Sequence, residues 1–374
     1  MERPVQRAVA IVRLAAVERN CARLARSLSG DVQLCAVVKA NAYGHGAREC
    51  AQAALEGGAG WLAVATAAEA DELRGWFPGI PILVMGAMTR EDLDVALAAD
   101  AEVAVWRPDF LSLAAARGAE LGVEPRLHVK YDTGMGRLGS ADPDAVRELV
   151  ERCVHDDHVR LAGLWTHFAT ADEPDSAFFD EQLGRFRELA LPVKQEHPAV
   201  LLHAANSAGT LRDPGSHFDM VRCGIAIYGL DPFHRNPAEH DLVPALELRS
   251  YVADVKRFAE GSSAGYGQRW RAPRDTSVAV LPIGYGDGVR RGLSNNADVL
   301  VGGRRHPMVG TVSMDNVTVD LGPETDVEAG APAVLIGEQG EQRILAEEVA
   351  DRLDTINYEI TCGISSRVPR AYVR

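Results

Sequence analysis

Lysine is scarce in this 374-residue chain: of 39 basic residues only Lys39, Lys130, Lys194 and Lys256 are lysine. Arginine stays charged and cannot form a Schiff base, whereas a lysine amine can once it loses its proton. Two of the four close apolar runs. Lys39 ends Ala36-Val37-Val38 and opens onto Asn41-Ala42-Tyr43-Gly44-His45-Gly46, and Lys130 leads into the glycine-rich loop from Tyr131 to Arg137. A lysine at the end of a buried strand is poorly solvated, which lowers its pKa and suits it to form imines and to act as a base. The plain alternative is a lysine that snorkels to water. Other polar groups also fall at run ends: Thr166-His167-Phe168, Asn206-Ser207, and Arg222 ahead of Cys223-Gly224-Ile225. Singly, each has a dull explanation, such as a satisfied core histidine or an arginine paired with a carboxylate. Together they describe one site. Ser207 and the backbone amides of Gly224 and Ile225 suit a phosphate. An imine-forming lysine beside a phosphate cradle points to pyridoxal phosphate, an electron sink for carbanion chemistry. An aldolase that uses a lysine imine without a cofactor is the alternative.

The elements that must position these groups are visible as an alternation. Short apolar runs occur at Gln33–Ala40, Trp61–Thr66, Pro81–Gly86, Glu102–Trp106, Arg126–Tyr131, Arg160–Thr166, Ala199–Ala204 and Asp219–Cys223. Between them lie stretches of helical spacing, including Ala47–Leu55, Ala67–Leu73, Arg90–Ala98 and Pro143–Cys153, the last with Asp142 as its N-cap. Strand followed by helix, eight times over, implies parallel pairing and right-handed crossovers, and predicts an α/β fold: an N-terminal (β/α)8 TIM-like barrel. A doubly wound sheet is the competing architecture, weakened by the lack of a Gly-x-Gly-x-x-Gly turn after the first run. In such a barrel, chemistry sits at the carboxyl ends of the strands, where the groups above fall.

Beyond about residue 235 the texture changes. Leu246–Phe258, Ser277–Pro282, Ala297–Val301, Met308–Thr311, Asn316–Leu321 and Ala333–Ile336 predict short strands separated by glycine turns, with one late helix near Ile344–Leu353. The division expected is a barrel over 1–235 and a mainly β C-terminal domain over 236–374. The stretch 1–14 is able to join the β domain through a strand at Ala8–Leu14.

Composition narrows the function classes. A formal charge of −14 argues against nucleic acid and acidic membranes as partners. Six cysteines, scattered singly, predict reduced thiols rather than a disulfide framework or a metal site. Arg3, Arg7, Arg13, Glu18 and Arg19 interrupt any signal-peptide core, and no run approaches the ~18 apolar residues of a membrane helix. The expectation is a cytoplasmic enzyme.

The segment Ala36-Val37-Val38-Lys39-Ala40-Asn41-Ala42-Tyr43-Gly44-His45-Gly46 closely resembles the pyridoxal-phosphate attachment motif of the alanine racemase family. The likeness continues in order through Lys130 to Gly139, Thr166 to Asp172, Ala264-Gly265-Tyr266-Gly267 and Gly284-Tyr285-Gly286-Asp287-Gly288. It ends with Gly310 to Asp315, Tyr358-Glu359-Ile360 and Ile364 to Arg370.

This resemblance implies roles. Lys39 holds pyridoxal 5'-phosphate as an imine and is the base on one face of the substrate α-carbon. Tyr266, from the other subunit of a homodimer, is the base on the opposite face. Arg222 faces the pyridine nitrogen without donating its proton, which favours proton exchange over transamination and decarboxylation. His167 belongs to the same network. Arg137 contacts the cofactor phenolic oxygen and the substrate carboxylate, and Lys130, carbamylated in many family members, positions Arg137. Tyr43, Asn206, Ser207, Gly224, Ile225 and Tyr358 bind the cofactor, mainly on its phosphate side. Met314, with Tyr285 nearby, bounds the substrate entrance from the partner subunit, and Asp315 is a supporting residue. Cys223 and Asn316 depart from the residues common at their positions, proline and glutamine, without removing a catalytic group. The implied reaction is interconversion of L- and D-alanine, with D-alanine serving the bacterial cell wall and with no metal. A racemase of broader specificity, a basic amino-acid decarboxylase on the same architecture and a non-catalytic pyridoxal-phosphate carrier are the other readings. The carrier needs neither the β domain nor Tyr266.

Overall fold

Strands in which almost every residue is apolar can be buried on both faces, as happens when helices cover a parallel sheet. The computed structural model describes residues 6–374; residues 1–5, the start of the 1–14 stretch and the place of Arg3, lie outside the described residues. After β1 (Ala8–Arg13) come β2 (Gln33–Val37), β3 (Trp61–Val64), β4 (Ile82–Val84), β5 (Glu102–Val105), β6 (Arg126–Lys130), β7 (Arg160–Trp165), β8 (Leu201–His203) and β9 (Met220–Cys223). The eight strands from β2 onward pair in parallel in the order β8-β7-β6-β5-β4-β3-β2-β9. The ends of this sheet approach each other. Asp219 N donates to Leu202 O and Arg222 N to Ala205 O, both at 2.9 Å, and Leu202 N donates to Asp219 Oδ2 at 2.7 Å. The result is the expected barrel, nearly closed, with helices outside it.

Helix starts follow local chemistry. Thr66 and Thr89 each accept from the third helical amide in a capping box, with Glu69 and Asp92 reaching back. Asp142 caps Pro143–His155 by accepting from Asp144 N, as predicted.

The second sheet is mainly antiparallel. Its strands are β10 (Leu246–Tyr251), β11 (Asp254–Phe258), β14 (Thr276–Leu281), β15 (Asp298–Val301), β16 (Arg304–Val309), β17 (Val317–Gly322), β18 (Pro332–Gln339), β19 (Gln342–Ile344) and β20 (Arg370–Val373). The intervening β12 (Ser263–Ala264) and β13 (Trp270–Arg271) form a separate ribbon. The order is β11-β14-β17-β16-β15-β18-β10-β1-β20, with β19 on β18. β1 pairs antiparallel with β10 and parallel with β20, so the described chain runs through this sheet before it builds the barrel.

Several elements differ from the sequence expectation: β12, β13, β19 and β20 were not expected, Ala333–Ile336 extends to Pro332–Gln339, and three further differences have a visible cause. Leu246–Phe258 is two strands: Val252 N donates to Ala331 O and Ala253 N to Val280 O, both at 2.8 Å, so the chain changes neighbours between them. Apolar content continues across that point and hides the switch. The strand expected at Met308–Thr311 begins earlier, at Arg304, because Gly302 and Gly303, both at positive φ, turn the chain into a hairpin. The late helix is shorter, Ala346–Asp351, and is followed by an unpredicted one, Asn357–Cys362, which carries Tyr358.

Candidate active site

Lys39 does not end a strand; it opens a left-handed turn. β2 stops at Val37, and Ala40, Asn41, Ala42 and Tyr43 have φ between 51° and 55°. For residues with a Cβ this conformation costs roughly 1–2 kcal/mol each, so it persists only where surrounding bonds over-determine it. They do. Ala42 N donates to Val38 O at 2.8 Å, and Gly44 N to Ala40 O at 3.0 Å. Ala47 N donates to Asn41 Oδ1 at 2.8 Å, and the buried His45 sets Nδ1 against Ala42 O and Tyr43 O at 3.0 and 3.1 Å. Glu69 ties the turn to β3: one oxygen accepts from Ala40 N at 2.7 Å, the other from Ala65 N at 2.9 Å and Thr66 N at 3.1 Å. The turn throws the Lys39 side chain into a cavity of about 360 Å³ at the carboxyl ends of the barrel strands.

Ten of the residues singled out in the sequence line this cavity: Lys39, Tyr43, Arg137, His167, Asn206, Ser207, Arg222, Gly224, Ile225 and Tyr358. Val37, Ala40, Met85 and Cys362 also line it and were not foreseen, being apolar or small residues and a lone thiol without a distinguishing pattern. Arg137 ends a loop organised by Asp132. Its Oδ1 accepts from the amides of Gly134, Met135 and Gly136 and its Oδ2 from Arg137 N, so the loop rather than a helix fixes the arginine. Ser207 Oγ accepts from Gly224 N at 3.0 Å and Ala226 N at 3.3 Å. A Cβ on Gly224 would fall 2.4 Å from Tyr43 Oη, so only glycine allows this approach. Tyr43 packs between Tyr228 and Tyr358, with ring centroids 5.2 and 5.9 Å away.

The cavity's electrostatics are one-sided. Its lining contains no carboxylate, while Lys39, Arg137 and Arg222 line it and act on the nearby Lys130. Burial, then the nearby Arg137, hold the Lys39 amine below the usual lysine range, with Glu69 pulling the other way. Lys130 is buried rather than lining the cavity. It sits 4.1 Å over the Trp165 ring, and burial followed by Arg222 and Arg137 brings its pKa down to about 7. Arg222, lowered to about 10 by burial, still keeps its proton at neutral pH. It donates to Thr166 O at 2.8 Å, Ala204 O at 3.1 Å, His203 Nδ1 at 2.9 Å and His167 Nδ1 at 3.3 Å. Burial and then Arg222 keep His167 well below the usual histidine range, so it is neutral and carries its proton on Nε2.

Four predicted residues are elsewhere. Tyr266 (73 % exposed), Met314 (51 %) and Tyr285 (43 %) stand out from the β domain, with Asp315 beside them paired to Arg367 at 2.6 Å. Their loops brace one another. Thr311 Oγ1 donates to Tyr266 O at 2.8 Å, Tyr285 N to Ser313 O and Gly286 N to Met314 O, both at 2.9 Å. Within one chain, Tyr266 therefore does not share a cavity with Lys39. Of the departures, Cys223 is buried against Thr210 at 3.5 Å, and Asn316 closes a turn with Ser313.

The comparison with known proteins follows this geometry. Residues 12–232 match the family model for the alanine racemase N-terminal domain and residues 245–372 the one for its C-terminal domain. An alanine racemase of Symbiobacterium thermophilum is 43 % identical over 363 residues, 96 % of each chain. Alanine racemase 1 of Bacillus subtilis is 40 % identical over 362 residues, 96 % of this chain and 91 % of its own. Among solved structures, alanine racemase from Streptomyces lavendulae superposes with a TM-score of 0.92 at 38 % identity, covering 100 % of this chain and 98 % of its own. That from Bacillus anthracis with bound L-Ala-P gives 0.90 at 37 %, covering 100 % and 96 %. A barrel ending in a lysine-bearing cationic cavity, and sequence likeness along both domains, lead to one conclusion: the chain belongs to the alanine racemase family of isomerases.

Proposed function

We propose that this chain interconverts L- and D-alanine in the cytoplasm, using pyridoxal 5'-phosphate held on Lys39, with Tyr266 of the partner subunit completing the site in a homodimer. D-alanine for cell-wall peptidoglycan is the proposed use. The observation that carries the reading is the make-up of the cavity: three basic side chains line it, a fourth lies behind them, and no carboxylate lines it. That donor set fits a ligand bearing a phosphate, a phenolic oxygen and, with substrate, a carboxylate. Tyr43, Asn206, Ser207, Gly224, Ile225 and Tyr358 would hold the phosphate side. No helix of the described residues is long and apolar enough to cross a membrane.

Bound pyridoxal phosphate supplies a sink for negative charge at the substrate α-carbon. The chain's own residues do the rest. Lys39, its pKa held below the usual lysine range by burial and by Arg137, takes or returns the α-proton on one face. Tyr266 of the partner subunit serves the other face, and Met314 and Tyr285 of the partner subunit narrow the entrance, with Asp315 of the partner subunit behind them. Arg137 binds the substrate carboxylate by a charge-assisted pair. Arg222 keeps its proton and so offers a hydrogen bond rather than a proton, which disfavours the decarboxylase reading. The test is chiral analysis of products from L-alanine, L-serine and L-lysine. L-alanine is expected to end as an equal mixture of enantiomers with no carbon dioxide released; carbon dioxide from L-lysine would overturn the assignment.

Lys130 gives a pH-dependent prediction. Only a neutral amine adds carbon dioxide, and this amine loses its proton near pH 7, well before an ordinary lysine. Carbamylation of Lys130 is therefore expected to grow as pH rises through about 7, placing an anion next to Arg137. A carbamate resonance after incubation with ¹³C-bicarbonate, absent in Lys130→Ala, checks this. A resonance that survives the substitution refutes it.

A further inference from the structure

The hydrogen bonds of Arg222 do not stop at the cavity. A column of buried polar groups runs down the barrel interior from it. Arg222 Nη1 lies 2.9 Å from His203 Nδ1, His203 Nε2 lies 2.9 Å from His128 Nδ1, and His128 Nε2 lies 2.7 Å from Glu102 Oε2. Glu102 is the first residue of β5, at the amino end of the barrel, and its other oxygen ion-pairs with Arg126 Nε at 3.0 Å. Glu102 is 6 % exposed, His128 and His203 are fully buried.

The proton positions follow from one fact: a guanidinium donates and never accepts. His203 Nδ1 facing Arg222 must therefore be bare, so its proton is on Nε2. That proton points at His128 Nδ1, which must be bare in turn, and the His128 Nε2 proton points at the Glu102 carboxylate. Every donor is aimed toward Glu102. The opposite polarity is forbidden at the arginine end, and an anion at the far end makes the allowed one stronger through cooperative polarisation. Burial raises the Glu102 carboxyl, but the His128 bond and the Arg126 charge outweigh it and hold it ionised.

The barrel is shaped around this column. A Cβ on Gly163 of β7 would fall 2.2 Å from His128 Nδ1, so glycine there makes room for the imidazole. Trp165 stacks on His203 at 5.6 Å with planes 7° apart, and Trp61 meets His128 edge-on at 6.1 Å. A packed core of this size needs no such chain of polar groups, and isolated buried polar groups cost free energy.

We propose that Glu102 and His128 are positioning residues for Arg222: the Glu102 carboxylate, through His128, fixes His203 in the tautomer that holds the guanidinium in place over the cavity. This rests on the reading of the cavity as the pyridoxal-phosphate site. Neither residue touches substrate or cofactor. Their effect reaches the reaction through the orientation and polarisation of Arg222.

The test uses the full chain, both unloaded and loaded with pyridoxal phosphate. Imidazole nitrogen resonances of the unloaded protein are expected to place the protons of His203 and His128 on Nε2, leaving both Nδ1 atoms bare. Glu102→Gln keeps the size and an acceptor oxygen but removes the charge. It is expected to move the Nε2 resonances of both rings and to shift the visible absorption of the bound cofactor. It should also lower kcat about tenfold while leaving KM for alanine within about twofold. A merely structural role would lower the thermal midpoint and leave the resonances, the absorption and kcat unchanged; that result overturns the proposal. So does a proton on His203 Nδ1 in the wild-type chain, which decides the matter even where Glu102→Gln does not fold. The nitrogen pattern is read without cofactor, so a chain that never takes up pyridoxal phosphate refutes the site reading separately from the column.

Discussion

Lys39→Ala is expected to abolish racemisation while leaving the fold intact. Two losses coincide. On the proposed assignment the cofactor loses its covalent anchor, and one face of the α-carbon loses its base. The loss expected is about 10⁴-fold or more, the upper end of what a positioned acid–base group contributes. The fold should tolerate the change, because the lysine ion pairs are Lys194 with Asp219 at 2.9 Å and Lys256 with Asp254 at 3.5 Å, and among the described residues Lys39 has no carboxylate partner. The left-handed turn that begins there is held by Glu69, Asn41 and His45 through backbone groups, not through the lysine amine. In the wild-type chain, borohydride treatment of the yellow holoenzyme should leave the cofactor fixed to Lys39; in Lys39→Ala no peptide should carry it, and added methylamine should restore part of the rate. Lys130 is the built-in competitor, being buried nearby with its pKa near 7. Cofactor fixed to Lys130 in either protein sinks the assignment of Lys39.

Tyr266→Phe is expected to show which face each base serves. Its hydroxyl is the only group removed, and at 73 % exposure on a braced loop the ring has nothing in its own chain to lose, so cofactor binding should persist. The equilibrium constant between enantiomers is unity, so kcat/KM must fall equally in both directions, by about 10²–10⁴-fold. That corresponds to roughly 3–5 kcal/mol of transition-state stabilisation. The asymmetry appears instead in deuterium uptake. One enantiomer presents its α-proton to Lys39, and that proton should still exchange with deuterated water in the variant. The other faces the missing phenol and should exchange far more slowly. Equal exchange of both enantiomers at wild-type rates would refute the two-base assignment. Mixing Tyr266→Phe with Lys39→Ala then tests the homodimer. If each site takes Lys39 from one chain and Tyr266 from the other, mixed dimers hold one doubly damaged site and one intact site, and activity returns on mixing.

Much of this was legible in the residues. The eight βα units could be counted because a buried parallel strand is apolar throughout and its covering helix is amphipathic, two textures that differ locally. Groups at strand ends could be gathered on one rim because a closed parallel barrel leaves no other place for them. The β domain was harder. Its strands join by neighbour changes that composition does not mark, as at Val252-Ala253, and its helix Asn357–Cys362 is too short for spacing to betray.

The rarity of lysine already separated Lys39 and Lys130 from two ordinary surface residues, and the ion pairs of Lys194 and Lys256 agree with that separation. Residue type and order along the chain therefore determined the barrel and ten of the residues that line the cavity, because those depend on local pattern and on strand direction. Only the tertiary structure decided three further things: that Lys39 enters the cavity from a left-handed turn, that Tyr266 stands on a different face, and that Arg222 is tied to Glu102 across the barrel. Each depends on groups far apart in sequence meeting at bonding distance. Glu102 and Arg222 are 120 residues apart and joined through two histidines. No local pattern carries that information, since it exists only once the strands have closed around it.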